Sequence, residues 1–377
     1  MIGNSAGPLI NFRKELILAL SKQGYTVYCL VSDFDSNSKA VVEELGAVPI
    51  DSPLNSKGVN PIADILATIK LSRILKTLQP DVVFSFFVKP VIFGTIAAKL
   101  AKVTHIIGMI EGLGNAFTKS NLEKLVLKTK AIQSVQILLY KLSLPLLDTL
   151  IFLNPDDKED LLTTFDIQVN NTVILGGIGV DLNKFQYKHI ETNRACSFIF
   201  IARLLREKGI YEYLEAAEKV KLKYPNTKFY VLGGFDDENP FALHRSELEP
   251  YLSTNTVEYL GYVDNVIDYL IEASVFVLPS YREGVPRSTQ EAMAVGRPII
   301  TTDVPGCRET VKHGVNGFLV PPYNSDILAK KMMEFIVSPD LLNQMGNESR
   351  KMAELKYNIN NVNDKLISLI IPEKFKG

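Results

Sequence analysis

The chain repeats one pattern from end to end: a short, continuous apolar run, then a stretch with helical periodicity, then another apolar run. Runs at 25–32, 82–87, 105–109 and 149–153 alternate with helical candidates at 11–22, 63–78 and 92–102. Strands that lack polar alternation are buried on both faces, and helices must then cover both sides of their sheet. The pattern therefore dictates an α/β fold with parallel sheets. It pauses at Gly176-Gly-Ile-Gly-Val-Asp-Leu-Asn-Lys-Phe185 and resumes with runs at 197–202, 227–232, 257–260, 275–278, 298–302 and 318–320. We read two doubly wound domains with a boundary near 180. With 377 residues there is ample length for both cores.

The first domain opens unusually. Gly3 and Gly7 have the character of a glycine loop that follows a first strand, yet only Met1 and Ile2 precede them. A doubly wound domain ordinarily begins with a central strand. The first strand is therefore expected to be incomplete, with its start upstream.

Bulk properties exclude several function classes. A formal net charge of −1 gives no global field for nucleic acid. Cys29, Cys196 and Cys307 form no CxxC pattern, and the four histidines form no HExxH, so neither a disulfide framework nor a metal site is expected. No apolar run is long enough to span a membrane. Locally, residues 84–145 carry eight lysines against Glu111 and Glu123, interleaved with apolar residues. An amphipathic helix with solvated lysines and a helix lying on an anionic membrane surface both fit this composition.

The segment Ser280-Tyr-Arg-Glu-Gly-Val-Pro-Arg-Ser-Thr-Gln-Glu291 has the most chemical content. It follows an apolar run and leads into a helical stretch, so Glu283 and Glu291 flank a turn at a helix N-terminus. Carboxylates accept hydrogen bonds from hydroxyls, and helix N-terminal amides attract phosphate, which suits a polyol joined to a phosphate. Glu291 has a second reading: Ser288-x-x-Glu291 fits a capping box, which would make it structural. Arg203 and Lys208 follow the run at 197–202, where open α/β sheets bind ligands, and could neutralise a diphosphate; ordinary surface cations fit equally. Gly233 and Gly234 end the next run. In the first domain, Lys89 and Glu111 each follow an apolar run.

Taken in order, these segments resemble glycosyltransferase family 4, the retaining GT-B enzymes. The likeness is carried by Gly3 to Arg13, Glu111-Gly-Leu-Gly114, Gly179-Val-Asp-Leu with Phe185, Ala202-Arg-Leu with Lys208-Gly209, and Gly233-Gly234. The E-x7-E element from Glu283 to Glu291, Val304-Pro-Gly-Cys-Arg-Glu309 and Asn316-Gly-Phe-Leu-Val320 complete it. It narrows to bacterial enzymes that extend undecaprenyl-diphosphate sugars, including α1,3-N-acetylgalactosaminyltransferases.

The resemblance implies two Rossmann-like domains facing a cleft. It implies an acceptor-side domain at 1–178, a nucleotide-sugar domain at 179–356, and a C-terminal helix at 357–377 returning to the first domain. It implies a UDP-sugar donor, a polyprenyl-diphosphate-linked sugar acceptor, no metal, and peripheral contact with the inner face of a bacterial cytoplasmic membrane. Arg203, Lys208 and Glu283 would be catalytic. Gly234, Gly284, Val285, Pro286 and Glu291 would bind donor. Gly3, Gly7, Arg13, Lys89 and Glu111 would lie on the acceptor side. Many relatives carry a His near the position of Glu111, so acceptor-side chemistry departs from the family pattern there. A GT-B nucleotide-sugar epimerase and a non-catalytic sugar-nucleotide-binding protein are the competing readings.

Overall fold

In a computed structural model, residues 1–55, 60–114, 117, 123–236, 239 and 241–373 are described; side chains are described for α5 only from Lys130 on. The chain divides into two compact units. The first comprises Met1–Ile178 and the segment from Ile359 onward; the second is Gly179–Asn358.

The first unit holds strands β1 (Val27–Val31), β2 (Ala47–Asp51), β3 (Val82–Phe86), β4 (His105–Ile110), β5 (Thr149–Phe152) and β6 (Thr172–Ile174). Its helices are α1 (Ala6–Lys22), α2 (Ser36–Glu44), α3 (Pro61–Leu78), α4 (Thr95–Leu100), α5 (Glu123–Ser143) and α6 (Pro155–Lys158). All strand pairs are parallel: β1 with β2, and β3-β4-β5-β6 in that order. Ile2 bridges the two groups, pairing in parallel with Leu30 and with Ser85. Helix starts follow local chemistry. Asn60 caps α3 through Ala63 N–H, with Pro61 as its first helical residue, and Asp33 accepts from Ala6 N–H at the start of α1.

The second unit contains β7 (Ser197–Ile201), β8 (Lys228–Leu232), β9 (Glu258–Gly261), β10 (Val275–Leu278), β11 (Ile299–Thr302) and β12 (Gly317–Val320). Its helices are α7 (Ile210–Lys223), α8 (Arg245–Ser253), α9 (Val266–Glu272), α10 (Arg287–Val295), α11 (Ser325–Val337) and α12 (Asp340–Lys356). The last helix, α13 (Ile359–Ile370), packs on α1 in the first unit. The second sheet is ordered β12-β11-β10-β7-β8-β9 and is wholly parallel. Renumbered from its first strand, that order is 3-2-1-4-5-6, the doubly wound Rossmann arrangement. The connections reverse direction between β7 and β10, so a crevice opens beyond the carboxyl ends of those two strands. Phe198, Ile199, Phe200, Phe276 and Val277 are fully buried on both faces there, which makes the platform under the crevice rigid.

Candidate donor site at the switch point of the second unit

Arg203 and Lys208 follow β7, and Glu283 follows β10, so all three stand at the switch point. The Lys208 ammonium lies 2.6 Å from Glu283 Oε1, and both side chains are largely buried (19% and 12% exposed). Ser280 Oγ donates to the same carboxylate oxygen at 2.8 Å. The segments carrying the pair are tied by backbone contacts. Tyr281 N–H donates to Glu207 C=O at 2.9 Å, and Glu283 N–H to Pro305 C=O at 3.1 Å. The Tyr281 hydroxyl donates to Glu212 Oε1 at 2.6 Å. Burial raises the Glu212 pKa, which the Tyr281 hydrogen bond only partly offsets. Cys307 is buried beside the pair, and burial together with the Glu283 charge pushes its thiol to about 12, so it stays protonated.

Two glycines permit this convergence. Gly209 has φ +76°, and a Cβ there would stand 2.1 Å from Pro279 C=O. Gly306 also has φ +76°, and its Cβ would stand 2.2 Å from Glu283 C=O and 2.3 Å from Gly284 C=O. Any side chain at either position would separate the strand ends that bring Lys208 to Glu283.

Helix α10 begins directly after the Glu283 turn. Pro286 occupies its N-cap and offers no side-chain cap, and the first turn contains no acid. The first amides of a helix have no intrahelical partners and carry the positive end of its dipole. Gln290, fully buried, fixes the turn: its Nε2 donates to Val285 C=O at 3.1 Å and its Oε1 accepts from Gly179 N–H at 3.1 Å. Gly284, Val285 and Pro286 are buried, so this part of the turn can meet a ligand only through its backbone.

The capping reading of Glu291 does not hold. The helix starts at Arg287, which places Ser288 inside the first turn, and Glu291 accepts instead from Arg287 Nε at 3.0 Å, one helical turn back. Burial raises the Glu291 pKa, against the pull of Arg287 and Lys184. A carboxyl whose folded pKa lies above its unfolded value of 4.5 binds more protons when folded. Its ionisation therefore removes stability as pH rises from the unfolded pKa through the folded one. Glu291→Gln is expected to flatten this loss: the Tm difference between variant and parent should shift in the variant's favour from pH 4 to pH 7. A constant difference across that range contradicts the burial of an ionising carboxyl.

Arg203 is differently placed. Its side chain is 63% exposed and approaches Asp236 only at 3.5 Å, which contributes little in solvent. Nearby, Gly234 C=O accepts from Leu204 N–H at 3.2 Å.

In the first unit the sequence candidates fall into two separate ion pairs. Arg13, 2% exposed, pairs with Glu111 and lies 4.9 Å over the Phe86 ring. Lys89 pairs with Asp64 at 2.7 Å and donates to Asn55 C=O at 2.9 Å. At Gly3 the Phe86 ring fills the space a side chain would take, whereas the space around Gly7 is open. Sequence reading missed Asp64, Gln290, Ser280, Glu212 and Gly306. Ser280, Gln290 and Gly306 lay within segments already singled out, Ser280–Glu291 and Val304-Pro-Gly, but carried no signal of their own role. Among the described residues no cluster of three or more His, Cys, Asp or Glu side chains could hold a metal ion.

A doubly wound unit with a cation–carboxylate pair and a helix N-terminus at its switch point has the form of a ligand-binding crevice, and comparison with known proteins specifies the class of the chain. The family model described as Glycosyl transferases group 1 matches residues 183–352, and that described as Glycosyl transferase 4-like matches residues 10–154. The chain belongs to these glycosyltransferases. It is 28% identical over 375 residues to the N,N'-diacetylbacillosaminyl-diphospho-undecaprenol alpha-1,3-N-acetylgalactosaminyltransferase of Campylobacter jejuni, covering 95% of this chain and 94% of that protein. It is 27% identical over 331 residues to the UDP-Gal:alpha-D-GlcNAc-diphosphoundecaprenol alpha-1,3-galactosyltransferase of Escherichia coli, covering 85% and 82% respectively. Among solved structures, sucrose-phosphate synthase from Thermosynechococcus elongatus superposes with a TM-score of 0.76 at 20% identity, covering 97% of this chain and 94% of that one. HepE from Anabaena, solved with UDP and glucose, gives a TM-score of 0.75 at 16% identity, covering 98% of each chain. The fold is therefore GT-B.

Proposed function

We propose that this glycosyltransferase moves a hexose or N-acetylhexosamine from a UDP-sugar to a polyprenyl-diphosphate-linked sugar, with retention of anomeric configuration, in bacterial surface polysaccharide assembly. The observation that carries the reading is the Lys208–Glu283 pair beside the N-terminus of α10. The named activities of the Campylobacter and Escherichia relatives supply the substrate class.

In this reading the second unit binds donor and the first binds acceptor. The bond between the anomeric carbon and the UDP phosphate breaks, the acceptor oxygen bonds to that carbon from the same face, and UDP leaves and takes up the acceptor proton. Negative charge develops on the diphosphate, where Lys208, Arg203 and the α10 amides hold it; these groups supply the positive charge without calling for a metal. Glu283 aligns Lys208 and accepts hydrogen bonds from sugar hydroxyls, and Glu291 accepts from the ribose. The two glutamates are thus recognition groups and not the acid and nucleophile of a glycosidase. Gly284, Val285, Pro286 and Gly234 contribute backbone at the donor. On the acceptor side, in this reading, the buried Arg13–Glu111 pair and Gly3 position the first unit's strand ends, and the Lys89–Asp64 pair and Gly7 lie nearer the acceptor.

A membrane-facing surface fits the same reading. Helices α3, α4 and α5 all pack on the turn Pro90–Gly94. They expose Ile62, Ile65, Leu66 and Ile69, then Leu100, then Ile132, Val135, Leu138 and Leu142. The same helices also expose Lys70, Arg73, Lys76, Lys99, Lys130 and Lys141. Among the described side chains of these helices the one acid is Asp64, buried against Lys89. Lys119 and Leu122 lie outside the described residues, as do the side chains of Lys124, Leu125, Val126 and Lys128. An apolar, cationic face of this kind suits an anionic inner membrane leaflet. No described helix is long and apolar enough to cross a membrane. Ile65→Glu with Leu138→Glu is expected to lower binding to anionic vesicles by at least about tenfold, since each apolar side chain contributes roughly 1.5–3 kcal/mol when buried. Vesicle binding that ignores these changes, salt and anionic lipid content would reject the surface.

The function is tested by incubating the full chain with UDP-sugars and an undecaprenyl-diphosphate-linked sugar. A lipid product longer by one sugar is expected. Donor conversion without acceptor identifies an epimerase, and UDP binding without turnover of any donor identifies a binding protein; either result overturns the proposal.

A further inference from the structure

Among the described non-glycine residues, Gln79, Lys102, Asp166 and Asn255 take a positive φ where a helix ends, the ordinary place for it. Phe87 takes φ +70° in a different setting, directly after β3. The left-handed region suits glycine, asparagine and aspartate, and a bulky aromatic residue there is strained. Two backbone hydrogen bonds hold it: Phe87 N–H donates to Met109 C=O at 3.2 Å, and Phe87 C=O accepts from Val91 N–H at 3.0 Å. The wide π-helical turn Pro90–Gly94 follows closely. Strained residues and π-helical turns both concentrate at functional sites.

The place in the sheet gives this strain a use. From Ile2, which lies between Leu30 and Ser85, the chain winds to β1 and β2 on one side, then crosses to β3 and continues to β6 on the other. The winding reverses between Ile2 and β3, and a doubly wound sheet binds ligands in the crevice beyond the carboxyl ends at such a reversal. Phe87 stands at that end of β3. Its ring is half-buried and meets the Phe86 ring edge-on, with centroids 5.4 Å apart. The Phe86 ring is itself fixed, packed against Gly3 and lying 4.9 Å from the Arg13 guanidinium. Phe84 and Phe86 are buried in the core, whereas Phe87 keeps part of its ring open.

We infer that Phe87 is a sugar-stacking residue: its ring packs on the C–H-rich face of the acceptor's terminal pyranose. This rests on the transfer proposed above, in which the first unit receives the acceptor. A pyranose turns C–H groups to one face, and an aromatic ring covers them without a hydrogen-bond partner of its own. Asparagine or glycine at 87 would relax the backbone, so the ring is what the strain retains. The ligand class that fits is a neutral hexose or N-acetylhexosamine at the end of the acceptor.

The test uses the full chain, a UDP-N-acetylhexosamine and a short-chain polyprenyl-diphosphate N-acetylhexosamine. Phe87→Asn removes the ring and suits the backbone. Phe87→Leu removes the ring and keeps apolar volume, so one variant decides the matter if the other does not fold. Phe87→Tyr keeps the ring. Both ring-less variants are expected to raise the acceptor KM roughly tenfold, the scale of one lost apolar contact, with the donor KM unchanged, and Phe87→Tyr to stay near the parent. The same polyprenyl diphosphate without its sugar should inhibit parent and variants equally. A folded ring-less variant that keeps the parent's acceptor KM, or that loses donor and acceptor affinity together, overturns the stacking role and leaves the transferase standing. Inhibition by the sugar-free lipid that weakens as much as the acceptor does would put the ring on the lipid and overturn it too. A parent that extends no acceptor with any donor overturns the transferase, and this role with it.

Discussion

Lys208→Ala is expected to lower turnover by on the order of 10²- to 10³-fold, the loss found when one preorganised group that stabilises developing negative charge is removed. The ammonium is held at 2.6 Å from Glu283 on a buried platform, so it needs no reorganisation as the diphosphate departs. Two controls separate catalysis from folding. Lys208→Arg keeps the charge and should retain more activity than Ala, with loss from the changed geometry. Glu283→Gln keeps an acceptor for Ser280 Oγ and for sugar hydroxyls but releases Lys208 from its ion pair; it should raise KM for the donor more than it lowers Tm. Removing Lys208 also leaves a buried carboxylate without this cation, so some stability loss accompanies Lys208→Ala. Kcat measured at saturating donor, well below the measured Tm, reads the catalytic part alone. Turnover within about threefold of the parent, far short of one charge-stabilising group, would remove Lys208 from the mechanism.

Gly209→Ala is expected to damage stability and activity together. A left-handed φ costs an alanine about 1–2 kcal/mol. The methyl would also stand 2.1 Å from Pro279 C=O, a backbone atom that cannot rotate away. Relief requires the turn carrying Lys208 to move off the end of β10, which stretches the Tyr281 N–H to Glu207 C=O bond and opens the Lys208–Glu283 contact. We expect a loss above about 2 kcal/mol in unfolding free energy and a drop in donor affinity measured on the molecules that remain folded. Denaturant unfolding and donor titration on one preparation check both. A variant that loses stability but keeps its donor affinity would show that the turn does not set the site.

Much of this was legible in the chain. The second-unit strands lie where the apolar runs lie, most clearly β7, β10 and β11, whose burial on both faces admits few charged residues. The edge strands of the first unit were not legible. β2 contains Pro49 and an exposed Val48, and β6 is three half-buried residues, so neither leaves a continuous apolar run. Spacing identified Glu283 and Lys208 as candidates but not as partners, since 75 residues separate them and only the β7–β10 adjacency brings them together. Arg13 and Glu111, 98 residues apart, pair for the same kind of reason. The Ser288-x-x-Glu291 spacing suggested a cap because sequence alone does not fix helix starts to one residue. Pro286 takes the cap position, and Glu291 turns to Arg287 instead.

The central claim is that the switch point of the second unit is the nucleotide-sugar donor site. Calorimetric titration of UDP into the parent, Arg203→Ala and Lys208→Ala tests it most directly. The account predicts one UDP per chain for the parent and affinity lowered at least about tenfold in each variant, as expected for losing a charge-assisted hydrogen bond. Equal UDP affinity in all three folded proteins would place the nucleotide elsewhere and contradict the account.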